Sequence, residues 1–192
     1  LTPTVQMRAT AGAKVADVKA KIDAHFATGS FGPKDLVTVM VGANDVLELY
    51  GQFPTQNQET LINEARARGR ALGDQVNRIA NANGRIVLST LPDMGLTPFA
   101  IKEKAAKVDT DRAAFLSNLS NEFNVAMRLT IINDGRLIGL ALLDESVQAI
   151  AKFPAAFGYA NVSTGVCLTT VAVQDCTTKT LVTDGSGDTW LW

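Results

Sequence analysis

The sequence has little of what several large classes of protein depend on. Its 192 residues carry a net charge of −1, so no strong electrostatic field draws the chain to nucleic acid or to an acidic membrane. No apolar run approaches the roughly 20 residues that a membrane-spanning helix needs. The start, Leu1-Thr2-Pro3-Thr4, shows no signal-peptide pattern and lacks an initiator Met. We therefore predict one globular domain over residues 1–192, present as a piece of a longer protein.

Residue types that bind metals and cofactors are also scarce. His25 is the single histidine, and neither the Gly-x-Gly-x-x-Gly nor the Gly-x-x-x-x-Gly-Lys-Ser/Thr nucleotide motif is present. Two cysteines, Cys167 and Cys176, do not form a metal site alone, so we predict no metal and no cofactor. They are either two buried thiols or a disulfide. We favour the disulfide because it would tie down a poorly supported loop, and it would indicate an oxidising compartment.

Three apolar runs with the length of buried strands alternate with helical patterns. The runs cover residues 36–41, 85–91 and 137–143. This strand-helix order predicts a parallel sheet with helices on both faces. The remaining predictions are an extended run over residues 4–9, helices through Val15–Phe26, Leu61–Ile79, Phe115–Phe123 and Asp144–Lys152, with Asp109 or Thr110 as the cap of the third helix, and irregular chain from about residue 153.

The most informative local signal is Gly42-Ala43-Asn44-Asp45, which directly follows the first predicted strand. In an α/β sheet this position is the carboxyl end of a strand, where ligands bind. The strand-Gly-x-Asn-Asp arrangement resembles the third sequence block of the SGNH (GDSL-type) hydrolases.

Three further segments resemble the same family, and they occur in the family's order. Ala11-Gly12-Ala13 is similar to its second block. Leu91 to Pro98 resembles a Leu-Pro-x-x-x-x-x-Pro stretch of secreted esterases and lipases. Phe157 to Val162 is similar to a Phe-Gly-Phe-x-Asn-Val segment of the same branch. Together the four segments extend the resemblance over nearly the whole chain.

The resemblance implies a flavodoxin-like three-layer α/β sandwich and a serine-dependent carboxylic-ester hydrolase. It implies a small-molecule or lipid ester as substrate, no cofactor, and a secreted or periplasmic location. It assigns Gly12 and Asn44 to the oxyanion hole, where a backbone N–H and a side-chain amide would each contribute about 3 kcal/mol. The alternatives are an ordinary turn at Gly12 and a helix cap at Asn44. We expect Asp45 to brace the loop rather than to act as a base.

Both ends of the chain depart from the family pattern. No Gly-Asp-Ser block precedes Gly12, and no Asp-x-x-His block follows Trp190-Leu191-Trp192. We therefore expect a domain that is incomplete at both ends, with the nucleophile, Asp and His in terminal segments that could travel as separate peptides. His25 lies on a predicted helix away from the strand ends. Neither Ser89 nor Ser186 has a histidine placed to activate it.

Two non-hydrolase functions stay open at this point. A degenerate relative could keep the fold and bind an acyl or glycan ligand, and an unrelated flavodoxin-like domain could bind some other ligand. The family resemblance requires Gly12, Asn44 and Pro92 along the same edge of the sheet. Placement of Gly12 and Asn44 at opposite ends of the sheet would exclude the family.

Overall fold

The apolar runs predicted as strands lie side by side in one parallel sheet. The computed structural model describes residues 4–172 and 175–192 of the chain. Strand β1 (Leu36–Val39) pairs with β2 (Arg85–Ser89), and β2 pairs with β3 (Ile138–Ala141), both in parallel. The predicted parallel sheet is confirmed, although each strand ends before its apolar run does. The signal-peptide interpretation rests in part on residues 1–3, which lie outside the described residues.

Six α-helices account for most of the rest of the described chain before residue 153. Four of them are the helices that apolar spacing predicts. The other two, the second and fourth, have nine residues each, which is too short for a clear helical period. None of the six is long and apolar enough to cross a membrane. The helices are α1 (Val15–Phe26), α2 (Ala43–Gly51), α3 (Gln58–Asn81), α4 (Pro98–Ala106), α5 (Arg112–Thr130) and α6 (Leu143–Lys152).

Helix α3 is the longest element and contributes a fully buried apolar stripe. Leu61, Leu72 and Val76 on this stripe are shielded from solvent where α3 packs on β2 and along α5. Its first turn is capped by Asn57, whose Oδ1 accepts the N–H of Thr60 at 2.9 Å. The helix therefore begins at a defined residue and is held in place mainly by its apolar face.

The two faces of the sheet differ in burial. Ile86, Leu88 and Ile138 are 2%, 0% and 8% exposed and belong to the same core as the apolar residues of α3 and α5. Leu36 and Met40 lie on the opposite face of the sheet from these buried side chains, and they are 63% and 62% exposed. The main core therefore lies between the sheet and the pair of helices α3 and α5.

Two predictions about the bounds of elements are wrong. Residues 4–9 form no strand and lie mostly exposed, because no described strand pairs with them. The cap of α5 is Asp111, and neither Asp109 nor Thr110 fills that role. Asp111 directly precedes the helix, and its Oδ1 accepts the N–H of Ala114 at 3.0 Å.

The chain after residue 153 is irregular, as the sequence predicts, and a disulfide ties part of it together. Cys167 and Cys176 are bonded, with their Cα atoms 5.9 Å apart, so the predicted disulfide is confirmed. The backbone of Cys167 forms an isolated β-bridge with that of Leu181, and the backbone of Asn161 forms another with that of Trp190. Backbone pairing and the disulfide thus replace regular secondary structure in this region.

Gly69 allows the two long helices, α3 and α5, to pack closely against each other. The backbone of α3 at Gly69 lies so near α5 that an added Cβ would collide with the carbonyl oxygen of Phe123 and come within 3.2 Å of the Ala126 Cβ. By contrast, a Cβ at Gly51, the last residue of α2, would meet no atom within 4 Å. The two positions form a matched pair for testing the helix contact.

We predict that Gly69→Ala lowers the free energy of unfolding by about 1–3 kcal/mol, the usual cost of overpacking. The loss should appear even though Ala favours a helix over Gly by about 1 kcal/mol. Gly51→Ala is the control and should be neutral or slightly stabilising. Urea unfolding measures both, and equal stability of the two variants would contradict the described packing of α3 on α5.

Candidate active site

Gly12 lies in the loop that immediately precedes α1, with its backbone amide unused. Its φ of +77° lies in the left-handed region, which glycine adopts without strain. Among the described residues, no group accepts a hydrogen bond from the Gly12 N–H. A Cβ added to Gly12 would have no neighbouring atom within 4 Å, so the space on that side of the residue is open. The loop therefore presents a free backbone donor.

Asn44 lies in the first turn of α2, just past the carboxyl end of β1. Gly42, with a φ of +131°, makes the sharp turn from strand to helix, and an added Cβ there would press on the ring of Phe123. The Asn44 Nδ2 donates to the carbonyl oxygen of Ala13 at 2.9 Å. An amide NH₂ carries two protons; one is donated to Ala13, and the second has no acceptor among the described residues.

Asn44 and the Gly12 loop are therefore neighbours, although about thirty residues separate them in the sequence. Pro92 follows β2, and because β1 and β2 are parallel, the residues after both strands lie at the same edge of the sheet. The arrangement matches the one that the hydrolase hypothesis requires.

An open cavity of about 550 Å³ adjoins this loop. Its lining includes Met7, Arg8, Ala11, Gly12 and Lys21. Lys21 Nζ holds the loop by donating to the carbonyl oxygen of Arg8 at 2.8 Å and to the Thr10 Oγ1 at 2.9 Å. The cavity thus lies between the Gly12 loop and α1, and Asn44 does not line it.

Asp45, next to Asn44, is buried, and both of its carboxylate oxygens accept hydrogen bonds from other groups of the protein. Only 2% of it is exposed, and its Oδ2 accepts the N–H of Val15 at 3.0 Å. Its Oδ1 accepts from Arg68 Nη1 of α3 at 3.2 Å. Burial raises the pKa of Asp45, while the Val15 N–H and the Arg68 guanidinium lower it in part. The carboxylate braces the loop, which agrees with the sequence prediction for this residue.

A wider ion-pair cluster surrounds this carboxylate. Arg68 also pairs with Glu48 of α2 and with Glu64 of its own helix, and Glu48 pairs with Lys14. The hydrogen bond from Lys14, followed by the one from Arg68, holds the pKa of Glu48 below its ordinary value. These charges join the segment before α1, helix α2 and helix α3.

The loop after β2 is also fixed by a buried amide. Asn124 of α5 is 2% exposed and clasps Leu91, accepting its N–H at 2.9 Å and donating to its carbonyl oxygen at 2.8 Å. Asp144 accepts from Arg128 at 2.7 Å and from Thr90 at 2.7 Å. No sequence pattern singles out Asn124, and Asp144 has the position of an ordinary acidic residue in the first turn of a helix. Their hydrogen bonds are internal, so they shape the loop.

The remaining sequence candidates do not form a catalytic pair within the described residues. The imidazole of His25 stacks on the ring of Phe31, with 4.4 Å between centroids, and its buried Nε2 has no described partner. Ser186 lies in a turn in which its Oγ accepts the N–H of Asp188 at 3.3 Å. Asn161, in the Phe157 to Val162 segment, also serves a turn. Residues 4–172 and 175–192 contain no group of three or more acidic, His or Cys residues suited to a metal ion.

We predict that Glu48→Gln lowers stability at pH 7 and that its effect vanishes in acid. A carboxylate whose pKa is lowered on folding stabilises the folded state above its ordinary pKa of 4.5 and loses that contribution as the pH falls through the lowered value. Urea unfolding of both proteins from pH 7 downward measures the difference. A difference that stays constant with pH would contradict the ion pairs of Glu48.

Comparison with known proteins shows the family of the chain. A phosphatidylcholine-sterol acyltransferase from Aeromonas hydrophila is 31% identical to the chain over 130 residues, which is 67% of the chain and 35% of that protein. The chain thus corresponds to about a third of the length of this relative. The family of GDSL-like lipases and acylhydrolases matches residues 4–137, so the chain belongs to that family, whose fold is the three-layer α/β sandwich.

Proposed function

We propose that this chain supplies the oxyanion-binding part of a serine-dependent ester hydrolase or acyltransferase. The observation that supports it best is the hydrogen bond from Asn44 Nδ2 to the carbonyl oxygen of Ala13. It holds a side-chain amide beside Gly12, whose own N–H has no acceptor among the described residues. This contact supports the proposal because it brings an uncharged amide next to the Gly12 loop, beyond the carboxyl end of β1, the usual place for ligands in this class of fold.

The chemistry follows from where charge develops. Attack on an ester carbonyl gives a tetrahedral intermediate whose oxygen becomes negative, and fixed donors near that oxygen stabilise it by about 3 kcal/mol each. The Gly12 N–H and the second Nδ2 proton of Asn44 are such donors. Neither donor ionises in the pH range in which proteins are folded, so neither has to gain or lose a proton to stabilise the oxyanion. No cofactor enters this step.

We further propose that the nucleophilic serine and its His and Asp partners lie in segments outside this sequence. Within the described residues, the single histidine forms no hydrogen bond to a serine. The substrate class is an acyl ester of a small molecule or lipid, with water or another alcohol as acceptor. The similarity to a phosphatidylcholine-sterol acyltransferase supports a lipid ester.

A location outside the cytoplasm fits the same proposal. The Cys167–Cys176 disulfide is compatible with an extracellular site, because disulfides persist in oxidising compartments. We propose that the protein is secreted or periplasmic.

A second candidate function is a non-catalytic module that binds an acyl or glycan ligand. It is favoured by the absence of a serine-histidine pair within the described residues. The two functions differ in what Asn44 does, because only a catalytic oxyanion donor acts mainly on the transition state.

We predict that Asn44→Ala lowers kcat by about 10²–10³ and leaves KM nearly unchanged, in the protein that also carries its Gly-Asp-Ser and Asp-x-x-His segments. The measurement is hydrolysis of a p-nitrophenyl ester under steady-state conditions. His25→Ala is the control and should keep the wild-type kcat, since His25 stacks on Phe31 away from the strand ends. A wild-type kcat in Asn44→Ala would favour the non-catalytic module.

The 192-residue chain alone tests the assignment of the nucleophile. We expect no hydrolysis of p-nitrophenyl acetate above the residual level that oxyanion donors give without a triad, about 10³–10⁴-fold over water. Strong activity that a serine-directed inhibitor abolishes would mean that the nucleophile lies within this chain.

A further inference from the structure

The first turn of helix α1 is only partly capped by residues of its own segment. The first N–H groups of any helix have no partner inside the helix and need outside acceptors. The residue in the cap position is Lys14, whose side chain has no acceptor atom. Asp17 in the first turn accepts the N–H of Lys14 at 2.9 Å, which leaves the N–H of Val15 to find another partner.

That partner comes from a different helix. The Oδ2 of Asp45, in the first turn of α2, accepts the Val15 N–H at 3.0 Å. The adjacent Asn44 donates from Nδ2 to the carbonyl oxygen of Ala13 at 2.9 Å. One side chain donates and its neighbour accepts, and they engage two backbone groups two residues apart. We call these two hydrogen bonds the clamp.

Two hydrogen bonds, one donated and one accepted by side chains of α2, constrain the Gly12 loop more than a single bond would. The Asn44 bond alone would let the Gly12 loop pivot about the Ala13 carbonyl. The second bond, from Val15 to Asp45, fixes the orientation of the loop relative to α2. Since catalytic donors must be held within about 0.5 Å of their productive position, this orientation decides whether the Gly12 N–H and the Asn44 amide point at one oxygen.

The burial of Asp45 supports a positional role. A carboxylate that is 2% exposed carries a large desolvation cost unless it is paired and hydrogen-bonded. Arg68 of α3 supplies the pairing charge, with its Nη1 at 3.2 Å from Oδ1. The side chain thus has both oxygens engaged inside the protein and none free for a proton-transfer role.

We propose that Asp45 is a positioning residue for the oxyanion site, acting through the N–H of Val15 to orient Gly12 against Asn44. This inference rests on the proposed function, because it concerns the same two donors. It predicts that an uncharged acceptor at position 45 suffices. Asp45→Asn keeps an oxygen for Val15 and should retain the clamp, whereas Asp45→Ala removes it.

Hydrogen exchange in the 192-residue chain tests the clamp without any assay of activity. The Val15 amide should exchange about tenfold faster or more in Asp45→Ala, the effect of losing a hydrogen bond to a charged group. It should stay within about threefold of wild type in Asp45→Asn. Glu64→Ala is the matched control, because Glu64 also pairs with Arg68 but has no described bond to α1 or to the segment before it. Equal Val15 exchange in wild type and Asp45→Ala would overturn the clamp.

Kinetics of the protein with its Gly-Asp-Ser and Asp-x-x-His segments test the positioning role. We expect Asp45→Ala to lower kcat by about tenfold with KM nearly unchanged, and Asp45→Asn to restore most of it. Glu64→Ala should keep the wild-type kcat. A wild-type kcat in Asp45→Ala, or no rescue in Asp45→Asn, would overturn the role. If the wild-type protein itself hydrolyses no ester, the proposed function fails, while Val15 exchange still decides whether the clamp exists.

A second variant removes the donor and covers the case in which Asp45→Ala does not fold. Val15→Pro deletes the N–H at the first helical position, where proline is tolerated. Lys14 already has the extended backbone that the residue before a proline prefers, with φ −115° and ψ 172°. We expect the same loss of kcat as in Asp45→Ala, and no further loss on combining Val15→Pro with Asp45→Asn. A wild-type kcat in Val15→Pro would overturn the proposal.

Discussion

The candidate site depends on one buried interaction, the hydrogen bond from the Val15 N–H to the carboxylate of Asp45. The cap residue of α1, Lys14, has no acceptor atom, and α2 supplies one for the Val15 N–H across about thirty residues of sequence. Because Asp45 is also paired with Arg68, the contact ties three helices together at one place. The loop that carries Gly12 has no strand to hold it, so this contact and the Asn44 bond set its position against α2.

Packing in the core determines the position of α2, which carries Asn44 and Asp45. Gly42 turns the chain directly from β1 into α2, and its close approach to the ring of Phe123 leaves no room for a side chain. Phe123 lies on α5, which packs along α3 at Gly69. The position of Asn44 in the first turn of α2 is therefore determined by packing between the sheet and the two long helices. A rigid element presents the amide, and a loop presents the backbone N–H.

The sequence predicts the regular elements well for physical reasons. The strands around residues 36–41, 85–91 and 137–143 are continuous apolar runs, and α3 repeats apolar residues over about five turns. Helix α2 escapes prediction because its nine residues begin inside a polar motif. The run at residues 4–9 has strand-like residues but no described strand beside it, and a strand exists only by pairing.

The site shows a different limit. Gly12 and Asn44 were assigned from a resemblance to known proteins, and no periodicity relates two residues so far apart in the chain. Their contact follows from the tertiary fold, as does the clasp of Leu91 by Asn124. Asp45 is instructive because its type fits both a base and a brace. Only its burial and its two internal partners distinguish these roles.

The most direct test of the oxyanion assignment is a crystal structure of the protein with its Gly-Asp-Ser and Asp-x-x-His segments, inhibited by an alkyl phosphonate that bonds to the catalytic serine. The phosphoryl oxygen takes the place of the oxyanion of the tetrahedral intermediate. The assignment predicts that this oxygen lies about 2.7–3.1 Å from both the Gly12 N and the Asn44 Nδ2. An oxygen that contacts neither atom would contradict it.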